Sequence, residues 1–164
     1  MTKSSQSRFV IQKHEAVDFH YVLRLEVGDG VRSWAVPKGP SPDPRVKRLA
    51  IPVDYDMEMD FEGVIDRSQG PDRVIVWDSG EYRPFDLDGD PISVTESLEE
   101  GRLDLWLSGQ KLEGGFTLLR VDEGRDERWM LIKSNDEKAT SRRDPVVTEP
   151  LSVISGRNVE DVDK

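Results

Sequence analysis

The strongest constraint on this chain is a rhythm of two. Short runs alternate apolar and polar residues, and Gly, Pro or Asp breaks each run before helical periodicity can develop. Arg8–Gln12, His20–Val27, Val31–Val36, Leu49–Val53, Phe61–Ile65, Arg73–Trp77, Leu103–Leu107, Phe116–Val121 and Trp129–Lys133 are all rich in β-branched or aromatic residues. Gly28-Asp29-Gly30 separates the second and third runs with the residues a tight hairpin demands. About eight to ten strands with few helices predict an all-β, mainly antiparallel barrel or sandwich. One short helical turn is expected around Thr95–Glu100, with Thr95 as its N-cap.

Punctuation sets the boundaries. Residues 37–47 hold four prolines in eleven positions, which makes a stiff loop rather than a strand or helix. Residues 1–7 read as a flexible N-terminus and 8–138 as one folded domain. After Ser134 the apolar pattern fades, and 139–164 read as a poorly ordered, linker-like tail.

Composition removes several chemistries. The chain has no Cys, which excludes disulfides, thiolate metal sites and thiol catalysis. A metal site must therefore use His, Asp, Glu or Asn, and there are only two His. No apolar run is long enough to span a bilayer, and the polar N-terminus has no signal-peptide core, so a soluble cytoplasmic protein is the expectation. The net charge of −10 argues at first against a nucleic-acid partner. Its distribution argues differently. Residues 1–50 carry nine Lys/Arg against five Asp/Glu, whereas 51–100 carry three against fifteen. Most of these charges need be no more than solvated surface.

Within the strand from His20, alternation puts His20, Val22, Arg24 and Glu26 on one face and Tyr21, Leu23, Leu25 and Val27 on the other. The second face is core. The first either meets water or lines a polar pocket, and in isolation the outward placement is the commoner one. His14 ends the preceding strand, so pairing of the two strands could bring both imidazoles together as the start of a divalent-metal site. Two unrelated surface histidines are the alternative. Arg24 suits a phosphate oxygen through its planar fork, and Lys38 and Arg48 could add positive charge. A metal with Arg and Lys is what phosphate-ester cleavage needs, because negative charge builds on the phosphorus oxygens.

An ordered series of motifs then becomes specific. Gln12-Lys13-His14, His20-Tyr21, Arg24-Leu25-Glu26 and Ser33-Trp34-Ala35-Val36-Pro37-Lys38-Gly39-Pro40-Ser41 are followed by Asp60-Phe61-Glu62-Gly63-Val64-Ile65, Val76-Trp77-Asp78 and Trp129-Met130-Leu131-Ile132-Lys133. This series resembles the 3'-phosphoesterase domain of bacterial DNA ligase D over about residues 8–138. Leu151-Ser152-Val153-Ile154-Ser155-Gly156-Arg157 resembles the linker that precedes the ligase module, and the chain ends soon after, as in a free-standing, divergent member. The resemblance implies a small closed β-barrel with a polar pocket and one or two short helices. It also implies manganese-dependent removal of 3'-ribonucleotides and 3'-phosphates from DNA ends or primer-templates in non-homologous end joining. Expected partners are DNA 3' ends and repair ligases or polymerases, in a cytoplasmic, nucleoid-associated location, with no membrane. By motif position His14 and His20 match metal ligands, and Arg24, Lys38 and Arg48 match catalytic or phosphate-contacting residues. Gln12 matches a supporting residue, as does Asp54, which stands where the family usually has Glu.

The departures fall at the chemistry. The family reads His-Tyr-Asp-Phe-Arg where this chain reads His20-Tyr21-Val22-Leu23-Arg24, so the expected carboxylate ligand is Val22. The family's phosphate-binding His is replaced by Asp56 in a segment shortened by about two residues. Losing an anionic ligand weakens a divalent site, and an Asp opposes a phosphate. A pseudoenzyme with the barrel kept and catalysis impaired fits this pattern. A rearranged His14–His20–Asp56 site, with Asp18 as a second carboxylate, is the alternative that keeps manganese. A non-catalytic module that binds DNA ends or a repair protein is the competing function. The alternating acids Asp54, Asp56, Glu58, Asp60 and Glu62 need be no more than a solvated strand face.

Overall fold

The alternating runs become nine strands: β1 Ser7–Glu15, β2 Phe19–Val27, β3 Gly30–Val36, β4 Lys47–Val53, β5 Gly63–Arg67, β6 Gly70–Pro84, β7 Arg102–Gly109, β8 Glu113–Asp122 and β9 Arg128–Lys133. The computed structural model describes residues 7–16, 19–54, 57–67, 70–84, 92–122, 124 and 126–162. All strand pairs are antiparallel, in the order β1-β2-β3-β4-β9-β8-β7-β6-β5, and a β1–β6 pairing closes eight strands into a barrel with β5 flanking β6. Closure removes the exposed edges that a nine-stranded open sheet would present. The all-β, closed-barrel expectation holds. No helix among the described residues is long and apolar enough to cross a membrane.

Two local devices shape the wall. The β2–β3 hairpin pairs Val27 with Gly30, and Gly28 takes φ +60° at the first turn position. In β1–β6, Ile11 pairs with Asp78 but Gln12 pairs with Val76, so Trp77 is the extra residue of a β-bulge. β6 also runs on through Gly80, where a run ending at Trp77 was expected. A Cβ at Gly80 would lie 2.0 Å from the Ser108 carbonyl oxygen, so glycine is what lets β6 and β7 close up there.

Phe9, Ile11, Tyr21, Leu23, Leu25, Trp34, Trp77, Phe116 and Trp129 belong to one buried cluster that fills the barrel. The short helix is present as α1, Val94–Glu100, but its N-cap is Ser93, whose hydroxyl accepts from the Glu96 N–H. Thr95 lies inside the helix instead. Ser93 wins because it precedes the first helical residue with extended backbone, the geometry an N-cap requires.

Residues 139–162, read from the sequence as a poorly ordered tail, lie against the barrel. They include the short helix α2, Pro145–Thr148, and a 3₁₀ turn at Val159–Asp161. Val159 and Val162 are buried against Ile75, and Val153 joins Val10, Met59 and Val76. Polar anchors complete the attachment: the Trp77 indole N–H donates to the Glu149 carbonyl at 2.8 Å, and the Arg73 Nε donates to the Val162 carbonyl at 3.1 Å.

Candidate functional site on the outer β1–β2 face

The register of β1 against β2 decides which side chains meet. Val10 pairs with Arg24, Gln12 with Val22 and His14 with His20. Their sequence neighbours Phe9, Ile11, Tyr21, Leu23 and Leu25 point into the core, so these six occupy the opposite, outer face. Most of that face is covered, and His20 is only partly buried. Gln12, His14 and Val22 are fully buried, and Arg24 is 3% exposed. The polar face thus takes neither of the simple placements open to it: it is turned away from the barrel interior, yet mostly covered.

Over Val10, Gln12 and Arg24 the cover is the chain from Met57 to Glu62. Arg24 Nη1 donates to the Met57 carbonyl at 2.8 Å and to Gln12 Oε1 at 3.2 Å, while its Nε donates to Ser33 Oγ at 3.2 Å. Gln12 in turn donates Nε2 to the carbonyls of Glu58 (3.3 Å) and Phe61 (3.1 Å). A guanidinium tolerates such burial only where fixed dipoles replace its water, and here the Met57 carbonyl and the Gln12 and Ser33 side-chain oxygens supply them. The cover is fastened on its other sides as well. Met59 packs on Val10 and Val76, and Asp60 pairs with Arg8 at 2.5 Å. The Glu62 carboxylate accepts from the Val76 N–H at 2.7 Å and from the Ser152 hydroxyl.

His14 and His20 do come together, their rings stacked at 4.8 Å between centroids and 21° between planes. Val22 lies on the same face, between His20 and Arg24 along β2, where the resemblance expects a carboxylate. Lys38 and Arg48, with Pro37, Lys47, Leu49 and Met130, line an open cavity of about 350 Å³. The β2–β3 register, with Tyr21 opposite Val36, carries the chain on to Pro37 and Lys38 at the His20 end of the face. Lys38 and Lys47 are exposed, and the Arg48 Nε is buried with no hydrogen-bond partner among the described residues. Asp54 is exposed one residue past β4, outside the Gln12–Arg24 network. Asp56 and Asp18 lie outside the described residues.

This donor set, among the described residues, is short of a divalent-metal site: it offers two neutral imidazoles, and the β2 position between His20 and Arg24 carries Val22 in place of a carboxylate. Among the described residues no group of three or more His, Asp or Glu is placed to hold a metal. The described site is a stacked histidine pair, an arginine bonded to Gln12, Ser33 and the Met57 carbonyl, and an open cationic cavity.

Sequence reasoning missed three buried polar groups. Lys13 shares the core face of β1 with Phe9 and Ile11, its ammonium over the rings of Phe19 (5.1 Å) and Tyr21 (5.8 Å), and burial lowers its pKa. Lys111 lies 4.6 Å over the Trp77 ring and donates to the carbonyls of Glu149 (2.8 Å) and Leu151. Asp78 is fully buried and accepts four main-chain N–H groups. The adjacency of Lys111 to Leu112 and of Trp77 to Asp78 was visible in the sequence, but their partners are main-chain atoms with no residue signature.

The profile of the DNA Ligase D 3'-phosphoesterase domain matches residues 12–120, from the second residue of the outer face through most of β8. The chain belongs to this family. It is 44% identical over 161 residues to the Multifunctional non-homologous end joining protein LigD of Pseudomonas aeruginosa, covering 93% of this chain and 18% of that protein. The Multifunctional non-homologous end joining DNA repair protein LigD of Mycobacterium tuberculosis is 35% identical over 133 residues, covering 79% of this chain and 16% of that protein. This 3'-phosphoesterase-family chain therefore spans less than a fifth of the length of these relatives. The match starts at Gln12, so the His14–His20 pair, Arg24, the Pro37–Lys38 loop and the 57–62 cover all fall within it.

Proposed function

We propose that this chain recognises DNA 3' ends in non-homologous end joining and that its 3'-phosphoesterase chemistry is impaired or lost. The observation that carries the reading is Val22, fully buried between His20 and Arg24 on the face that holds both imidazoles. An isopropyl group cannot coordinate a cation, and two neutral imidazoles alone bind divalent ions weakly. Manganese would require a carboxylate from elsewhere, and Asp56 is the candidate carried from the sequence. Without a metal, negative charge building on a phosphorus oxygen would have only cations to stabilise it.

Recognition needs less. Lys38 and Arg48 provide cations at an open cavity, and phosphate contacts of this kind supply most of non-specific DNA affinity. Arg24, matched by motif to a phosphate contact, would belong to the ancestral chemistry of the same face, with Gln12 supporting it. The ligand is then a DNA 3' end or primer-template, and a repair ligase or polymerase acts on the end presented. Work on DNA ends would place the protein at the nucleoid. A module that binds a repair protein rather than DNA is the second reading, favoured by the acidic exposed residues Asp54, Glu58 and Asp60.

The test is incubation with primer-templates bearing a 3'-ribonucleotide or a 3'-phosphate, with manganese, alongside a binding titration against salt. The expected result is no product and a log–log salt slope of about −2 to −3, since each neutralised phosphate contributes about −0.9. Metal-dependent product abolished by His20→Ala overturns the loss of catalysis. Neither product nor DNA binding overturns the DNA-end reading and leaves the protein partner.

A further inference from the structure

We propose that residues 57–62 are a built-in plug of the Arg24 anion site, so that a terminal phosphate is left to the Lys38–Lys47–Arg48 cavity. The inference rests on the DNA-end reading above and names which cations serve it.

A phosphate that reached Arg24 would have to displace an acceptor already in place. The Met57 carbonyl oxygen lies 2.8 Å from Arg24 Nη1, at the distance and in the role of a phosphate oxygen. Gln12, a second acceptor on Nη1 among the described residues, is itself held by the carbonyls of Glu58 and Phe61. An incoming anion must therefore break a connected set of bonds, and any donor or carbonyl left buried and unpaired carries a desolvation cost.

The plug is anchored from independent directions. Met59 is buried with Val10 and Val76, Asp60 pairs with Arg8, and Glu62 holds both the Val76 N–H and the Ser152 hydroxyl. Its outward side chain Glu58 is exposed and negative, so it opposes the ligand that Arg24 would attract, while the charge of Asp60 is offset by Arg8. Steric cover and charge act in the same direction.

The second cavity has the opposite character. Lys38 and Lys47 are exposed, the Arg48 Nε has no hydrogen-bond partner among the described residues, and Leu49, Pro37 and Met130 give an apolar wall. An apolar wall beside converging cations suits a sugar or base carrying a phosphate.

The experiment is a titration of the full-length, ¹⁵N-arginine-labelled protein with inorganic phosphate, following the Nε–Hε resonances of Arg24 and Arg48. The expected result is a saturable shift at Arg48, no shift at Arg24 and slow solvent exchange of the Arg24 Hε. In Met59→Ala/Asp60→Ala, which removes two anchors, Arg24 Hε exchange should rise by at least about tenfold, and a phosphate-dependent shift should appear there. A saturable Arg24 shift in the unmodified protein overturns the plug, as does a double variant in which Arg24 stays protected. The outcome is separable from the DNA-end reading. A protected Arg24 in a protein that binds no DNA sinks that reading and keeps the plug, while DNA binding with a phosphate-responsive Arg24 does the reverse.

Discussion

Val22 and Gln12 stand directly opposite each other across β1 and β2, both fully buried on the face that carries the histidine pair. A valine at this register position keeps the wall packed and removes the one place on β2 from which a carboxylate would lie between His20 and Arg24. Val22→Asp tests how much of a metal site remains. Without metal, a carboxylate here is desolvated beside an already satisfied network, so stability should fall by about 2–4 kcal/mol. In a chain of this size that is a drop in Tm of roughly 5–15 °C. Manganese at about 100 times its Kd should return about 2.7 kcal/mol to the variant. The unmodified protein should show no such gain. Thermal melts of both proteins with and without manganese make the comparison.

The pairing of His14 with His20 was legible because strand alternation and a short connection leave few registers, and the one adopted brings the rings together. The burial of Arg24 was not legible. Its cover comes from residues 33 positions away and grips through main-chain carbonyls, which carry no trace in residue identity. The attachment of residues 139–162 was hidden for a related reason. That segment has little apolar periodicity, and it is held by a few valines together with donors from Trp77, Lys111 and Arg73 to its carbonyls. Lys38 and Arg48 were both singled out from the sequence, but that they share one cavity while Arg24 sits under another segment follows only from the barrel's closure. Asp56, the carboxylate on which a rearranged metal site depended, lies outside the described residues.

Asp78 organises the β7–β8 reversal from a distance. Its Oδ1 accepts the N–H groups of Ser79 (2.9 Å), Gln110 (2.9 Å) and Lys111 (3.1 Å), and its Oδ2 accepts that of Leu112 (2.9 Å). Asp78→Ala would leave these donors without their acceptor in a buried site, at a cost of about 3–5 kcal/mol. Asp78→Asn keeps the shape but turns one acceptor into a donor, so it should recover only part of that loss. Urea unfolding should show a lower midpoint with an unchanged slope, since the surface exposed on unfolding is the same. A loss below about 1 kcal/mol for the alanine variant would mean that the four bonds are readily replaced by water.

Lys111 gives the protein a pH signature. Burial pushes its ammonium pKa down to about 8, against the opposing pull of Asp78 and Glu149. The unfolded chain, with an ordinary lysine near 10.5, binds more protons than the folded one above pH 8. Stability therefore rises with pH through the window from about 8 to 10.5. Tyr21 and Tyr82, both pushed up to about 12 by burial, act oppositely, but only from their unfolded value of 10 upward. Measurement between pH 7.5 and 9.5 avoids the tyrosines, and Lys13, whose pKa burial also lowers, is common to both proteins in the comparison with Lys111→Met. There the unmodified protein should gain about 1–2 kcal/mol relative to Lys111→Met, read from urea unfolding at each pH. Parallel stability curves for the two proteins would remove Lys111 from the account.

Glu62 is the joint between the outer-face cover and the C-terminal segment. β6 is paired with β5 through Val74 and with β7 from Gly80, and in the gap between them the Val76 N–H goes to the Glu62 carboxylate. The Val76 carbonyl accepts the Val153 N–H at 3.0 Å, so the same residue also anchors the C-terminal segment. The Ser152 hydroxyl donates to Glu62 as well, and its oxygen accepts the N–H groups of Ile154 and Ser155. Glu62→Ala should cost about 1–3 kcal/mol by leaving Val76 and Ser152 without their acceptor, and Ser152→Ala less, since the β6 bond survives. Native-state hydrogen exchange separates a local effect from a global one. The Val76 and Val153 N–H groups should lose protection in Glu62→Ala well before the core strands do, while in Ser152→Ala only Val153–Ser155 should respond. If the Val76 N–H keeps full protection in Glu62→Ala, the carboxylate is not what closes the gap between β5 and β7.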